Sequence, residues 1–256
     1  MTRPGRDTDQ DWKRIAEDDP YWGVLSQEDY RRGAMDSERL RQFMASGEKF
    51  VTDFLSFVRK YLSPDFQPRR ALDVGCGVGR LAIPLAKCSG AVVGVDVAKA
   101  MLDICGKQAK LAGVSNLELV ESDDSLSRVQ GSFDLVNTYI VLQHIPPERG
   151  YRLIDAMLSR LEVGGIASIQ VTYAKARQFM VHEGPKALYY RRDGNTLVDL
   201  VDSGWNPPEG TINMYDYDLN QVMAQVTRWA GLPVLSLPTN DDNHLGCHFV
   251  FAKARG

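Results

Sequence analysis

Three glycines and one acid lie together at residues 73–79, in the stretch Asp-Val-Gly-Cys-Gly-Val-Gly. The stretch follows a short apolar run and precedes a helical pattern, so it predicts a turn between a strand and a helix. Because glycine has no Cβ, Gly75 and Gly77 let the backbone turn tightly and approach a ligand closely. Ligands of open α/β sheets bind at the carboxyl ends of the strands. We therefore expect a ligand here, in preference to a glycine-rich turn without one.

The spacing of these glycines narrows the class of ligand. A dinucleotide fingerprint is GxGxxG and a phosphate-binding loop is GxxxxGK[ST], whereas this sequence has GxGxG followed by Arg80. The carboxylate of Asp73, just before the first glycine, would repel a pyrophosphate. It suits a ligand with a cationic amino group or other hydrogen-bond donors. A nicotinamide-dependent oxidoreductase is therefore a distant alternative.

Two further acidic positions follow the next predicted strands. Asp96 ends the run AVVGV, 23 residues after Asp73, at a place where an acid accepts hydrogen bonds from ribose hydroxyls. A surface cap of the next helix is the alternative for Asp96. The stretch Glu-Ser-Asp-Asp follows at residues 121–124. We prefer Asp123 as the acceptor for an adenine amine and keep Asp124 as its neighbouring candidate, with an acidic surface loop as the alternative.

Alternating strands and helices are predicted to position these residues. Apolar runs alternate with helical patterns between residues 69 and 173, which is typical of parallel βαβ units with right-handed crossovers. Upstream, apolar residues at steps of three and four predict helices from Leu40 to Leu62, interrupted at Ser46-Gly47 with Ser46 as a cap. Two C-terminal strands joined by a short turn predict an antiparallel final strand.

The chain divides into a cover and a sheet domain. Residues 1–66 are predicted to form a loose polar arm and a helical cover, and residues 67–256 the ligand-binding domain. Residues 174–215 are turn-rich and aromatic, so we expect an insertion over the sheet. Cover and insertion are the expected source of substrate choice. The side chains that would line a pocket there, or form an ordinary surface, are Tyr189, Tyr190, Arg191, Arg192, Trp205 and Tyr215.

Four motifs, LDVGCGVGRLAIPLA, GVDVAKAML, ESDD and SFDLVNTYIVLQHIP, together with the late Gly-Gly strand, resemble those of class I S-adenosylmethionine-dependent methyltransferases. The resemblance covers residues 69–173 and the terminal strand pair. It implies an α/β fold with a Rossmann-like, seven-stranded, mostly parallel sheet, an antiparallel last strand and helices on both faces. It also implies S-adenosyl-L-methionine as the cofactor.

The resemblance further implies roles for individual residues, each mapped onto a matching position of this sequence. The glycine loop of the family would lie near the methionine moiety, its two acids near the ribose and the adenine, and the segment after the fourth strand near the sulfonium. By this mapping, the methionine moiety would lie near Gly75, Cys76 and Gly77, and the ribose near Asp96. The adenine would lie near Val97, Met101 and Asp123, and the sulfonium near Tyr139 and Gln143.

A base is needed if the methyl acceptor is a hydroxyl or an ammonium group, because that group must lose a proton. His144 follows the fourth strand, where the acceptor would arrive, so we predict it as the catalytic base. A structural histidine ahead of two prolines is the alternative. His244, in the terminal turn, is the second candidate, and we expect His182 and His248 to be structural.

Composition excludes several classes of protein. The 256 residues carry 30 basic and 33 acidic side chains, a net charge of −3, which together with the absence of an Asn/Asp-Pro-Pro-Tyr sequence disfavours DNA as a partner. Four cysteines without a CxxC pair disfavour a metal site and indicate a reducing, cytoplasmic setting. The polar N-terminus predicts no signal peptide, and no apolar run approaches the roughly 18 residues of a membrane span.

The favoured function is in-line methyl transfer to a small molecule, with oxygen as the preferred acceptor atom. A metabolite, a sugar or a natural-product intermediate fits this prediction. A protein or RNA methyltransferase is one alternative, and a non-catalytic partner subunit that binds the cofactor is another. The sequence leaves the oligomeric state open.

Overall fold

The computed structural model describes residues 7–175, 188–193, 196–201, 214–231, 233–241 and 244–254. Its strands are β1 Arg70–Val74, β2 Ala91–Asp96, β3 Leu117–Glu121, β4 Phe133–Thr138, β5 Leu161–Lys175, β6 Leu188–Asp193, β7 Thr196–Val201, β8 Leu235–Asp241 and β9 His244–Ala252. Seven of them form one sheet in the order β3-β2-β1-β4-β5-β9-β8, and β6 and β7 pair in a second sheet of the described residues.

The sheet is parallel except for β9, which runs antiparallel to both of its neighbours, β5 and β8. Only residues 242 and 243 separate β8 from β9, and so short a connection requires an antiparallel pair. The predicted α/β fold class, a mostly parallel seven-stranded sheet with an antiparallel last strand, is confirmed.

Helices pack on both faces of the sheet. The helices of the described residues are α1 Thr8–Asp18, α2 Pro20–Val24, α3 Ser37–Tyr61, α4 Ala82–Cys88, α5 Lys99–Leu111, α6 Pro147–Arg160 and α7 Leu219–Trp229. Neighbouring residues of a strand enter different apolar clusters: Ala71 packs with α3 and α4, whereas Leu72 packs with α6 and α7. Since side chains alternate along a strand, burial of both faces explains the continuous apolar runs that marked these strands in the sequence.

The N-terminal segment is a correction to the sequence analysis. Residues 8–18, predicted as part of a loose arm, form helix α1. Asp7 caps it by accepting hydrogen bonds from two backbone N–H groups at 3.1 and 3.3 Å, and Ile15 and Ala16 are buried. The apolar face is too narrow to be obvious in a mostly polar sequence. The domain boundary after residue 66 stays a prediction.

Helix α3 is continuous over 25 residues, so the predicted interruption at Ser46-Gly47 is wrong. Ser46 donates its hydroxyl to the Phe43 carbonyl at 2.6 Å instead of capping a second helix. A Cβ on Gly47 would lie 1.9 Å from the carbonyl oxygen of Arg80. Glycine is therefore required for α3 to pack directly on the backbone that follows β1.

The remaining differences concern element boundaries. Helix α4 begins at Ala82 rather than at residue 79, because the preceding loop still has a positive φ of 93° at Gly79. Strand β5 begins at Leu161 rather than at residue 166 and continues to Lys175, beyond the predicted start of the insertion. Most of residues 174–215, with His182, Trp205 and the side chains of residues 189–192, lies outside the described residues.

Gly47→Ala is expected to lower the free energy of unfolding by about 2 kcal/mol, because the new methyl group would collide with the Arg80 backbone. Gly106→Ala in α5 is the matched control, since its Cβ would meet only Leu119 Cδ1 at 3.5 Å. Alanine is the better helix former, so this control gains up to about 1 kcal/mol. Urea unfolding measures both, and equal stabilisation by the two changes would contradict the α3 contact.

Candidate active site

The loop from Gly75 to Gly79 joins β1 to α4 and is tied to the neighbouring strand. The backbone N–H groups of Gly75 and Cys76 both donate to the Val95 carbonyl of β2, at 2.8 and 2.9 Å. Gly75 has φ of 75°, and a Cβ there would lie 2.5 Å from the Val141 side chain. The loop is thus a compact turn, in a backbone conformation that side chains disfavour.

One cavity opens beside this loop at the carboxyl ends of β1, β2 and β4. Its wall also includes residues of α1, α2, α5 and α6. Eleven of the twelve site residues predicted from the sequence border it, and the buried Gln143 does not. The eleven are Asp73, Gly75, Cys76, Gly77, Asp96, Val97, Met101, Asp123, Asp124, Tyr139 and His144.

Two buried, oppositely charged side chains, Asp73 and Arg80, border the cavity. Asp73 accepts a hydrogen bond at Oδ1 from Asn137 Nδ2 at 2.7 Å, while its Oδ2 has no partner among the described residues. Burial raises the pKa of Asp73 to about 7. Arg80 Nε also lacks a partner among these residues, and burial lowers the pKa of the guanidinium, an effect that nearby Asp73 opposes. In the sequence, Arg80 is marked only by its position directly after the glycines.

Asp96, at the end of β2, connects the cavity wall to the glycine loop. Its Oδ2 accepts from the Gly77 N–H and its Oδ1 from the Ala98 N–H, both at 2.9 Å. Burial raises the pKa of this carboxyl to about 6, in spite of these hydrogen bonds. A carboxylate oxygen accepts more than one hydrogen bond, so Asp96 can hold the loop and also receive ligand hydroxyls.

The two acids after β3 have different surroundings. Asp123 accepts hydrogen bonds from the backbone N–H groups and the hydroxyls of Ser125 and Ser127, which hold its pKa well below the usual range. Asp124 instead pairs with Arg149, at 2.7 Å for each of its two oxygens. Both acids border the cavity, and the assignment of Asp123 to an adenine amine stays a prediction.

Arg149 of α6 binds α1 at the cavity wall through hydrogen bonds and an ion pair. Besides Asp124, its guanidinium donates to both oxygens of Asp9 at 2.9 Å and to Thr8 Oγ1 at 3.1 Å. These acidic partners raise the pKa of Arg149. On the next turn of α1, the Trp12 ring packs edge-on against His144, with 4.8 Å between the ring centroids. This wall could not be predicted from local sequence patterns, because its hydrogen bonds between α1 and Arg149 join residues about 140 positions apart.

The segment after β4 is locally strained. Ile140 has a φ of 59°, uncommon for a β-branched residue, and its N–H donates to Gln170 Oε1 at 3.1 Å. This turn lets Tyr139 pack on Phe50 at 4.4 Å between ring centroids while it borders the cavity. Burial raises the pKa of Tyr139 to about 12. Strain of this kind is concentrated at functional sites.

The histidines separate into distinct environments. His144 is buried at the cavity wall, with its Nε2 at 3.3 Å from Gln143 Nε2. His244 does not border the cavity and lies with Nδ1 at 3.2 Å from the Asp241 carbonyl.

Among the described residues, no three His, Cys, Asp or Glu side chains are grouped as metal ligands would be. None of the described helices is long and apolar enough to span a membrane.

Sequence comparisons identify a domain in the centre of the chain. Residues 71–165 match a protein-family model described as "Methyltransferase domain". The ubiquinone biosynthesis O-methyltransferase of Acinetobacter baylyi is 24% identical over 72% of this chain and 71% of its own length. The 23S rRNA (uracil(1939)-C(5))-methyltransferase RlmD of Marinomonas posidonica is 24% identical over 70% of this chain, but over only 43% of its own length. The chain spans about half the length, 41–53%, of the further ubiquinone biosynthesis O-methyltransferases that it matches.

Structure comparison extends the similarity to nearly the whole chain. The crystal structure of magnesium protoporphyrin IX methyltransferase (ChlM) from Synechocystis PCC 6803 with bound SAM aligns with a TM-score of 0.62. The alignment covers 99% of this chain and 100% of the other at 16% identity, so it shows the shared fold. The chain therefore contains a methyltransferase domain at residues 71–165, within a fold that it shares with the SAM-bound magnesium protoporphyrin IX methyltransferase.

Proposed function

We propose that this chain transfers the methyl group of S-adenosylmethionine to a hydroxyl group of a small molecule. The observation that carries the proposal is the cavity in which the glycine loop, the Asp73–Arg80 pair and Asp96 converge. Because less than two thirds of most curated relatives is matched, this activity rests on the site itself and on the experiments below.

The residues present fit this cofactor. Asp73 Oδ2 and Arg80 Nε are buried polar atoms without partners among the described residues, and leaving such groups unpaired is costly. The amino-acid end of S-adenosylmethionine carries an ammonium and a carboxylate, which these two side chains would bind. Asp96 would accept hydrogen bonds from the ribose hydroxyls, and the glycine loop would lie against the cofactor without Cβ atoms between them.

The chain's own residues then position the acceptor and remove its proton. Bound S-adenosylmethionine supplies a methyl group already activated on a sulfonium, so the protein's task is alignment. Tyr139, with a pKa raised to about 12, keeps its proton at neutral pH and is excluded as the base. His144 is the imidazole at the cavity wall, and it would accept the proton of the hydroxyl nucleophile.

The acceptor is inferred from the cavity and from the relatives. Part of the cavity wall is apolar, and an apolar wall suits an aromatic or other weakly polar acceptor. Its side chains include Ile140, Val141, Ile145, Leu153 and Trp12, whose ring packs on His144. The similarity to ubiquinone biosynthesis O-methyltransferases supports a small molecule and transfer to oxygen. The similarity to RlmD supports RNA as the second candidate.

Calorimetry with S-adenosylmethionine, S-adenosylhomocysteine and NAD is the first test of the cofactor. We expect the two sulfur nucleosides to bind and NAD to give no signal. Release of S-adenosylhomocysteine is then measured with 3,4-dihydroxybenzoate, a catechol probe, and with a 23S rRNA transcript. Turnover of the catechol alone supports the proposal, whereas turnover of the transcript alone favours the second candidate. Absence of nucleoside binding would overturn both.

Asp96→Ala is expected to weaken S-adenosylhomocysteine binding more than about tenfold, because charge-assisted hydrogen bonds to the ribose are lost. Asp103→Ala is the matched control, since Asp103 is an exposed acid of α5 that pairs with Lys99. Titration calorimetry compares the two variants. Wild-type affinity in Asp96→Ala would remove the ribose assignment.

Arg149→Met is expected to accelerate S-adenosylhomocysteine dissociation about tenfold, because α1 loses its charge-assisted bonds to the cavity rim. Arg152→Met on the same helix is the control, since Arg152 is largely exposed and lies 3.8 Å from Asp124. Stopped-flow fluorescence follows the release, with Trp12 at the cavity wall as reporter. Equal rates in both variants would show that the Arg149 pairs do not retain the ligand.

His144→Ala is expected to reduce kcat by about 10²-fold or more, the usual contribution of a general base, with little change in S-adenosylhomocysteine affinity. His244→Ala, outside the cavity wall, should keep its turnover. The assay is S-adenosylhomocysteine release with 3,4-dihydroxybenzoate. Loss of turnover in His244→Ala, with none in His144→Ala, would reverse the assignment of the base.

A further inference from the structure

A row of four buried polar side chains crosses the centre of the sheet, from β9 through β5 and β4 to β1. His248, Ser168, Asn137 and Asp73 are each at most 6% exposed. Asn137 is the register partner of Asp73 and of Ser168, and His248 lies on the strand paired with β5. Successive polar atoms are 2.8, 2.7 and 2.7 Å apart. The four side chains therefore form one continuous hydrogen-bonded chain, which ends at the cavity.

The direction of every hydrogen bond in this chain follows from its chemistry. Asn137 donates Nδ2–H to the Asp73 carboxylate, so its Oδ1 faces Ser168. That oxygen carries no hydrogen, so the single Ser168 hydroxyl proton is donated to it. Ser168 Oγ must then accept from His248 Nε2, and the imidazole is the neutral tautomer with its proton on Nε2. Burial lowers the pKa of His248 to about 4, in agreement with a neutral ring.

We propose that His248, Ser168 and Asn137 are positioning residues that hold the Asp73 carboxylate with its second oxygen directed at the ammonium group of the bound cofactor. The ring of His248 is fixed by packing against Phe50 and Phe54, at 6.2 Å for each, and against Tyr139 at 5.3 Å. Donors aligned in one direction polarise one another. Each member thus strengthens the hydrogen bond that Asp73 receives.

The inference rests on the proposed function, since it assigns the cofactor's ammonium to Asp73 Oδ2. The other charged groups that act on Asp73 are Arg80, which favours the ionised carboxylate, and Asp96, which disfavours it. The Asn137 bond also favours ionisation, against the burial that raises the pKa of Asp73 to about 7. Cofactor affinity should therefore fall as the pH drops through the pKa of Asp73. If the row of hydrogen bonds is weakened, that pKa rises and the loss of affinity should begin at higher pH.

Calorimetric titration of S-adenosylhomocysteine between about pH 5.5 and pH 8.5 tests the chain, because this range brackets the carboxyl titration. Ser168→Ala and His248→Phe, which keeps an aromatic ring, should bind about threefold to tenfold more weakly at pH 7, with the pH midpoint raised. His248→Gln offers an N–H donor in place of Nε2 and should restore most of the affinity. Thr172→Val is the matched control, because this buried β5 hydroxyl donates to the Tyr215 carbonyl instead.

Three outcomes overturn the inference. One is a wild-type affinity and pH midpoint in folded Ser168→Ala and His248→Phe. Another is a ¹⁵N spectrum of the wild-type protein in which His248 carries its proton on Nδ1, the His248 signals being assigned by their absence from the spectrum of His248→Gln. Loss of thermal stability without a change of midpoint, as expected for Thr172→Val, would equally mark the chain as purely structural. Absence of binding to the wild-type protein would instead contradict the proposed function, and the tautomer would still be measured.

Discussion

The burial of one carboxylate, that of Asp73, constrains the centre of this molecule. Removing an ionised group from water is costly unless it is paired and hydrogen-bonded. Asn137 supplies one hydrogen bond and Arg80 the nearby positive charge, while one oxygen remains without a partner among the described residues. Under the proposed function, the ammonium group of the cofactor would complete the environment of this acid, and the other residues of the cavity are arranged around that position.

Arg80 is itself held by a second constraint, the approach of α3. Its backbone is covered by Gly47, where any Cβ would collide, so the cover helix and the glycine loop are in direct contact. The same helix contributes the phenylalanines that pack on His248 and Tyr139. Helix α3 therefore packs against residues that border the cavity and against His248. The N-terminal cover thus supports the site as well as forming part of the cavity wall.

A feature could be predicted from the sequence when the residues that determine it are close together along the chain. The glycine spacing at residues 73–79, the position of Asp96 after its strand and the terminal strand pair are local patterns, and they led to the correct fold class and to a common cavity. Helix α1, the role of Gly47 and the partners of Arg149 depend on contacts between segments far apart in sequence. His248 was predicted to be structural, and only the strand order shows that its hydrogen bonds lead to Asp73.

The two ends of the cavity differ in how their charges are held, and this difference fits a cycle of cofactor exchange. Around Asp73 the polar groups are almost fully buried and linked across four strands, so water screens them little and their geometry is rigid. Around Arg149 the ionic side chains are 24–36% exposed, and pairs of that kind open at a modest cost. Under the proposed function, the rigid charges would hold the amino-acid end of the cofactor, and the separable ion pairs of Arg149 would allow α1 to move when the spent cofactor leaves.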